Sequence, residues 1–184
     1  NDIGSEFFIN QDELARSLLV YVRRPRTFEA AENALHLRLY RRYDRHYQTF
    51  QAAPAEMESD EAGTAIVTAF IKDLEDRLGR GKGCFVDRFD IPEDADEPTA
   101  QMFIIHHPNL PTAVREIDEN GAVSKFYFRP PGEAMVVYVP STGRVHVRAD
   151  TRVIRHQVRE CFVTKVLGQD LSHQPADFQA HDIS

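Results

Sequence analysis

Apolar positions return along this chain at two different periods, and the change from one to the other falls near residue 84. Before it they recur every three or four residues, as on one face of a helix; after it they alternate toward period 2, as in strands. Asp12 to Arg24 places Leu14, Leu18, Tyr21 and Val22 on one face. Pro25 ends that helix, because the residue before a proline is pushed out of the α region. From Thr27, an N-cap residue type, the run Phe28, Ala31, Leu35, Leu39, Tyr43, Tyr47 and Phe50 predicts a second helix of about six turns. A third is predicted over Ser59 to Leu78, with Asp60 and Glu61 favourable in its first turn and Gly79 as its stop.

Six strands are predicted beyond residue 84: Cys84–Asp90, Ala100–His107, Thr112–Asp118, Val123–Arg129, Ala134–Val139 and Arg144–Ala149. Asn120-Gly121 and Ser141-Thr142-Gly143 supply turn chemistry between them. The connections are too short for crossover helices, so the sheet is predicted to be antiparallel. A last helix, Thr151–Leu167, turns Ile154, Val158, Cys161, Phe162, Val166 and Leu167 inward, and Gly168 stops it. The order gives an α+β class: N-terminal helices, an antiparallel β-meander of about five to six strands, and a C-terminal helix packed on the sheet. One domain over residues 11–168 is expected, helical over 11–82 and β-meander plus helix over 83–168.

Both ends read differently from this body. Gly4-Ser5-Glu6-Phe7 resembles a cloning junction, so residues 1–10 are expected to be foreign or flexible. The polar stretch 169–184 reads as a linker, and the chain as a piece of a larger protein.

Composition narrows the class without naming a function. Of the 184 residues, 42% are hydrophobic and 28% charged, ordinary usage for a folded domain. The longest apolar runs, Met102 to Ile105 and Ala134 to Val139, fall far short of the roughly 18 residues of a membrane span. No membrane association is therefore expected. Cys84 and Cys161 fit neither a disulfide framework nor a metal-ligand spacing, which suits two buried thiols and a cytoplasmic location. The net charge of −7 is uneven: +1 over residues 1–53, −10 over 54–121, +5 over 122–168 and −3 over 169–184.

The strongest chemical signal lies in the basic third segment. Arg144, His146 and Arg148 alternate with Val145, Val147 and Ala149, and then Arg152, Arg155, His156 and Arg159 recur at helix spacing. Guanidinium groups bind carboxylates and phosphates through planar, often bidentate hydrogen bonds. Arg144, Arg148, Arg152, Arg155 and Arg159 are therefore expected to build one cationic strand–helix face for an acidic macromolecule, either nucleic acid or an acidic protein surface. Arg38, Arg41, Arg42 and Arg45 form a weaker second row, interleaved with aromatic residues that could stack on bases. The acidic middle of one copy facing the basic end of another would make the chain self-assembling, so a homo-oligomer is a further expectation.

Enzymatic chemistry has less support. Gly79-Arg80-Gly81-Lys82-Gly83 lacks the leading glycine and the Ser/Thr of a phosphate loop, and it follows a helix rather than a strand. There is no nucleophile elbow. A metal-dependent hydrolase or nuclease would have to use His106 or His107 with carboxylates from neighbouring strands, Asp87, Asp90, Glu116 and Asp118. His181-Asp182 stands alone. No cofactor is indicated, and the leading expectation is a recognition module rather than an enzyme.

Overall fold

The computed structural model describes residues 12–42, 46–56, 61–93, 98–117 and 119–170. The chain forms two compact units, Asn1–Arg45 and His46–Ser184. In the first, helix α1 (Glu13–Arg23) and helix α2 (Pro25–Arg42) pack against each other. Asp12 caps α1 by accepting from the Leu14 amide at 3.0 Å. Pro25 both ends α1 and opens α2, where its missing N–H costs nothing. Tyr21 and Phe28 meet edge to face across this corner, with ring centroids 5.3 Å apart.

The second predicted helix does not run on to Phe50. α2 ends at Arg42, and Gln48–Gln51 instead form strand β1. Tyr47 and Phe50 match a helical stripe by spacing, yet an edge position on the sheet buries both. Tertiary pairing overrides local period here. Within α2 the less exposed positions are Phe28, Asn33, His36, Leu37, Leu39 and Tyr40, so Phe28 and Leu39 of the predicted stripe are among them while Ala31 and Leu35 are exposed.

The second unit is an antiparallel sheet with helices on one face. After β1 come helix α3 (Glu61–Leu78), strands β2 (Phe85–Ile91), β3 (Ala100–Pro108), β4 (Thr112–Ile117), β5 (Val123–Phe128), β6 (Pro131–Val139) and β7 (Arg144–Ala149), then helix α4 (Arg152–Cys161). A π-helical turn, Phe162–Val166, continues α4. Five strands pair antiparallel in the order β1-β7-β6-β3-β2, and β4 and β5 form a sheet of their own. The expected α+β class and antiparallel meander are present, with β1 added at the far edge and the middle hairpin detached.

Alternation decides what each face carries. Val145 and Val147 of β7, Ala134, Val136 and Tyr138 of β6, and Phe103 and Ile105 of β3 face α3 and α4, where Phe70, Leu74, Ile154, Val158, Cys161 and Phe162 close the core. Phe162 sits at its centre, fully buried. Widening to a π turn buries Phe162, Val163 and Val166 together. The opposite face is apolar as well, since Met102, Ile104, Met135 and Val137 are all buried. Tyr138 ties the segment after β1 to the sheet: its hydroxyl donates to the Ala55 carbonyl at 2.9 Å and accepts from the Ala55 amide at 2.8 Å. Gln169 brackets Ala53 in the same two-way fashion, at 2.8 Å each.

Candidate interaction surface

The sheet itself divides the arginines that sequence spacing groups together. Arg144, His146 and Arg148 are the register partners of Val139, Val137 and Met135 on β6. They therefore lie on the face opposite the core valines, and α4 packs on the valine side. Arg152, Arg155 and Arg159 are carried by α4, so the sheet lies between that helix and the strand arginines. His146 Nδ1 is 2.9 Å from Thr49 Oγ1 on β1. Burial pushes the neighbouring Tyr47 phenol above its usual range, against the opposing pull of Arg148. The Tyr47 hydroxyl donates to Met135 Sδ at 3.1 Å.

On α4 the basic row is divided again. Arg152 and His156 are exposed, while Arg155 and Arg159 are half-buried. Arg159 lays its guanidinium 4.6 Å from the Phe50 ring centroid, a cation–π contact that covers the edge strand. On the other flank His156 reaches Glu160 at 3.0 Å, and Glu160 also pairs with Arg77 of α3 at 3.0 Å. Of the second row, Arg38 and Arg41 are exposed on α2 and Arg42 is in its last turn; Arg45 lies outside the described residues.

Strand alternation also splits the set drawn up for a metal. His106 is on the face away from α3 and α4, 3.3 Å from Asp87 and stacked on Phe85 at 4.3 Å between centroids. His107 points to the opposite face and is 1% exposed. Burial holds its imidazole below the usual range, with Arg80 acting in the same direction and the Pro108 carbonyl and Asp150 opposing, so it is kept neutral. Asp90, at the other end of β2, accepts from the Gln101 amide at 3.0 Å. Glu116 belongs to the detached hairpin, and Asp118 lies outside the described residues, as does His181-Asp182. No three His, Cys, Asp or Glu side chains converge as a metal site among the described residues.

The cysteines are ill suited to nucleophilic roles. Burial pushes the Cys84 thiol up to about 11. Burial and its hydrogen bond to Asp73 push the Cys161 thiol up to about 12. Thiolate is the reactive form, so both stay inert at neutral pH. Asp73 responds in the opposite sense: although burial opposes it, the Cys161 thiol and Arg77 hold its carboxyl below the usual carboxylate range. A cavity of about 260 Å³ opens between α3, β2 and the π turn, with Arg88, Lys165 and Glu56 at its apolar wall of Ile66, Val166 and Leu167. That volume is below the range of small-molecule pockets.

The surface that spacing did not single out is the β4–β5 hairpin. β3 and β6 pair as far as Pro108 opposite Pro131, and one further bond runs from the Asn109 amide to the Pro130 carbonyl at 3.0 Å. Prolines 108, 111, 130 and 131 withhold amide donors at this junction, so the ladder stops and restarts beyond it as a separate arm. The base of the arm is stapled to the glycine loop: Arg80 Nη1 donates to Asn109 Oδ1 at 2.9 Å, and Arg129 donates to the Arg80 carbonyl. At the tip, Gly121 takes φ +78°, as the Asn-Gly turn requires.

Every residue of both arm strands is exposed. Register places Val114 opposite Phe126 and Thr112 opposite Phe128 on one side, and Ala113 opposite Tyr127 and Ile117 opposite Val123 on the other. Phe126 and Phe128 stack at 5.9 Å. Val114, Ile117, Val123, Phe126, Tyr127 and Phe128 are between 38% and 70% exposed. The sequence did contain the signal: three consecutive aromatics on a strand place rings on both faces, which a half-buried strand does not do. In the other unit, α1 also leaves Leu14, Leu18, Tyr21 and Val22 exposed.

Among the described residues, no helix is long and apolar enough to cross a membrane. No protein-family model matches the chain, and no curated protein matches it either.

Proposed function

We propose that this chain is a recognition and assembly module rather than an enzyme, and that its working surface is the β4–β5 arm. The observation that carries the reading is a two-stranded hairpin with apolar side chains exposed on both faces. An isolated hairpin is marginally stable in water, and contiguous exposed apolar surface marks an interaction site. Replacing Phe126, Tyr127 and Phe128 with serine together checks this in the monomer at low concentration. The thermal midpoint should move by no more than about 2 °C, as for surface substitutions, and binding of a hydrophobic reporter dye should fall. A loss of about 2–5 kcal/mol, the size expected of core residues, would show the rings to be packed on the body and end the reading.

A second reading, recognition of an acidic macromolecule, draws on the charge of +5 over residues 122–168. Because the sheet separates Arg144 and Arg148 from the helix, the surface for such a partner reduces to α4, with Arg152 in the open and Arg155 beside it. Arg152→Glu with Arg155→Glu should then weaken binding to nucleic acid or an acidic protein by about tenfold or more. On nucleic acid, the slope of log affinity against log salt should also flatten by about one for each phosphate that no longer meets an arginine. Equal affinity and equal slope for wild type and variant would remove this reading.

A further inference from the structure

Resting on the reading of the arm as a docking surface, we infer that its occupant is a second copy of this chain, paired β5 to β5 about a two-fold axis centred on Phe126. Three features favour a copy over a foreign partner. First, the outer edge of β5 is unpaired among the described residues, and Val123–Phe128 holds no proline, so its backbone donors and acceptors are available to another strand.

Second, charge narrows the register. A two-fold axis perpendicular to the sheet pairs residues of equal parity. Centring on Lys125 would set two ammonium groups directly opposite, which is unfavourable. Centring on Phe126 instead sets Phe126 opposite its counterpart and Ser124 opposite Phe128. Each Lys125 then faces the Tyr127 ring of the other copy, a cation–π pairing. The ends agree: the arm is acidic at its tip, Glu119, and basic at its base, Arg129 and Arg80. Antiparallel pairing brings each tip toward the other base.

Third, pairing raises the strand count: two arms joined edge to edge make four strands, where an isolated hairpin is only marginally stable in water. The pairing makes one four-stranded sheet from two arms, isologous as a two-fold contact must be.

The test is sedimentation velocity over a concentration series on the full chain, with cross-linking by mild oxidation. A concentration-dependent dimer is expected, and Phe126→Asp should raise its dissociation constant by about a hundredfold or more. Phe126→Cys should form an intermolecular disulfide. Ser124→Cys should not, because the two positions 124 would lie about 14 Å apart along the strands, beyond disulfide reach. The native thiols stay silent, both being buried. A monomer at every concentration overturns the pairing, as does a dimer that survives Phe126→Asp, or equal cross-linking at 124 and 126. Hydrogen exchange then separates the two claims. Rapid exchange of the 123–128 amides in a monomer leaves the arm a docking site for another protein, whereas strong protection in a monomer removes the docking reading too.

Discussion

Phe162→Ala should lower stability by about 3–5 kcal/mol, the range for removing a large buried aromatic. The ring is fully buried in the π turn and meets three elements at once. Its centroid lies 6.2 Å from Phe70 of α3, 5.0 Å from Phe103 of β3 and 6.1 Å from Tyr138 of β6. Two of these contacts are edge to face, a geometry worth about 0.5–1.5 kcal/mol each beyond area burial. Collapse of the cavity is difficult because its walls belong to a sheet and two helices that are fixed elsewhere. Chemical denaturation should show a lower midpoint with an unchanged slope, and the thermal midpoint should fall by about 10 °C. Phe162→Leu should recover more than half of the loss. A cost under about 1 kcal/mol for the alanine variant would mean that the ring does not hold this junction.

Phe162 was legible as a core residue from sequence because its spacing from Ile154 and Val158 is helical, and the core cluster contains all three. The strands were legible for the same kind of reason: β7 spans Arg144–Ala149 as its alternation indicates, and the other strand bounds shift by a few residues at most. Turn chemistry placed the hairpins, and Thr151, as N-cap, accepts from the Ile154 amide at 3.2 Å. β1 was not legible. Four residues are too few to establish period 2, and Tyr43, Tyr47 and Phe50 imitate a helical stripe.

The arginine pattern shows a different limit. Periodicity says that Arg144 and Arg148 point away from Val145 and Val147, and that Arg152 points away from Ile154. Both directions are outward, but outward from a strand and outward from the helix packed on its other side are opposite sides of one sandwich. Spacing along a chain gives each element its inner face and says nothing of which outer faces coincide. The arm was hidden by the converse effect. Its strands follow the pattern of ordinary strands, and only the prolines on either side, together with apolar residues at both parities, distinguish a detached hairpin from part of the main sheet.

Gly143→Ala should be nearly as damaging as Phe162→Ala, for a reason of backbone rather than core. Gly143 adopts φ +72°, a left-handed conformation that costs a side-chain-bearing residue about 1 kcal/mol or more. Space is the larger problem. A Cβ built there falls 2.2 Å from the Ala52 carbonyl oxygen, 2.8 Å from the Pro54 nitrogen and 2.9 Å from the Ala53 carbonyl carbon. These are backbone atoms of the segment leaving β1, held by the Ala52 amide on the Gly143 carbonyl at 2.9 Å and by Gln169 and Tyr138. They cannot move without releasing the edge strand and its buried Phe50. A total loss of about 2–4 kcal/mol is expected. The β1 amides should gain hydrogen exchange before those of β3 and β6. Gly121→Ala is the matched control, since φ is +78° there but nothing lies within 4 Å of the added carbon. That variant should carry only the conformational cost of about 1 kcal/mol, confined to the arm, and leave the body's thermal midpoint in place. Equal midpoint shifts for the two variants would mean that dihedral strain alone is at work, and that the close approach of β1 to the β6–β7 turn contributes nothing.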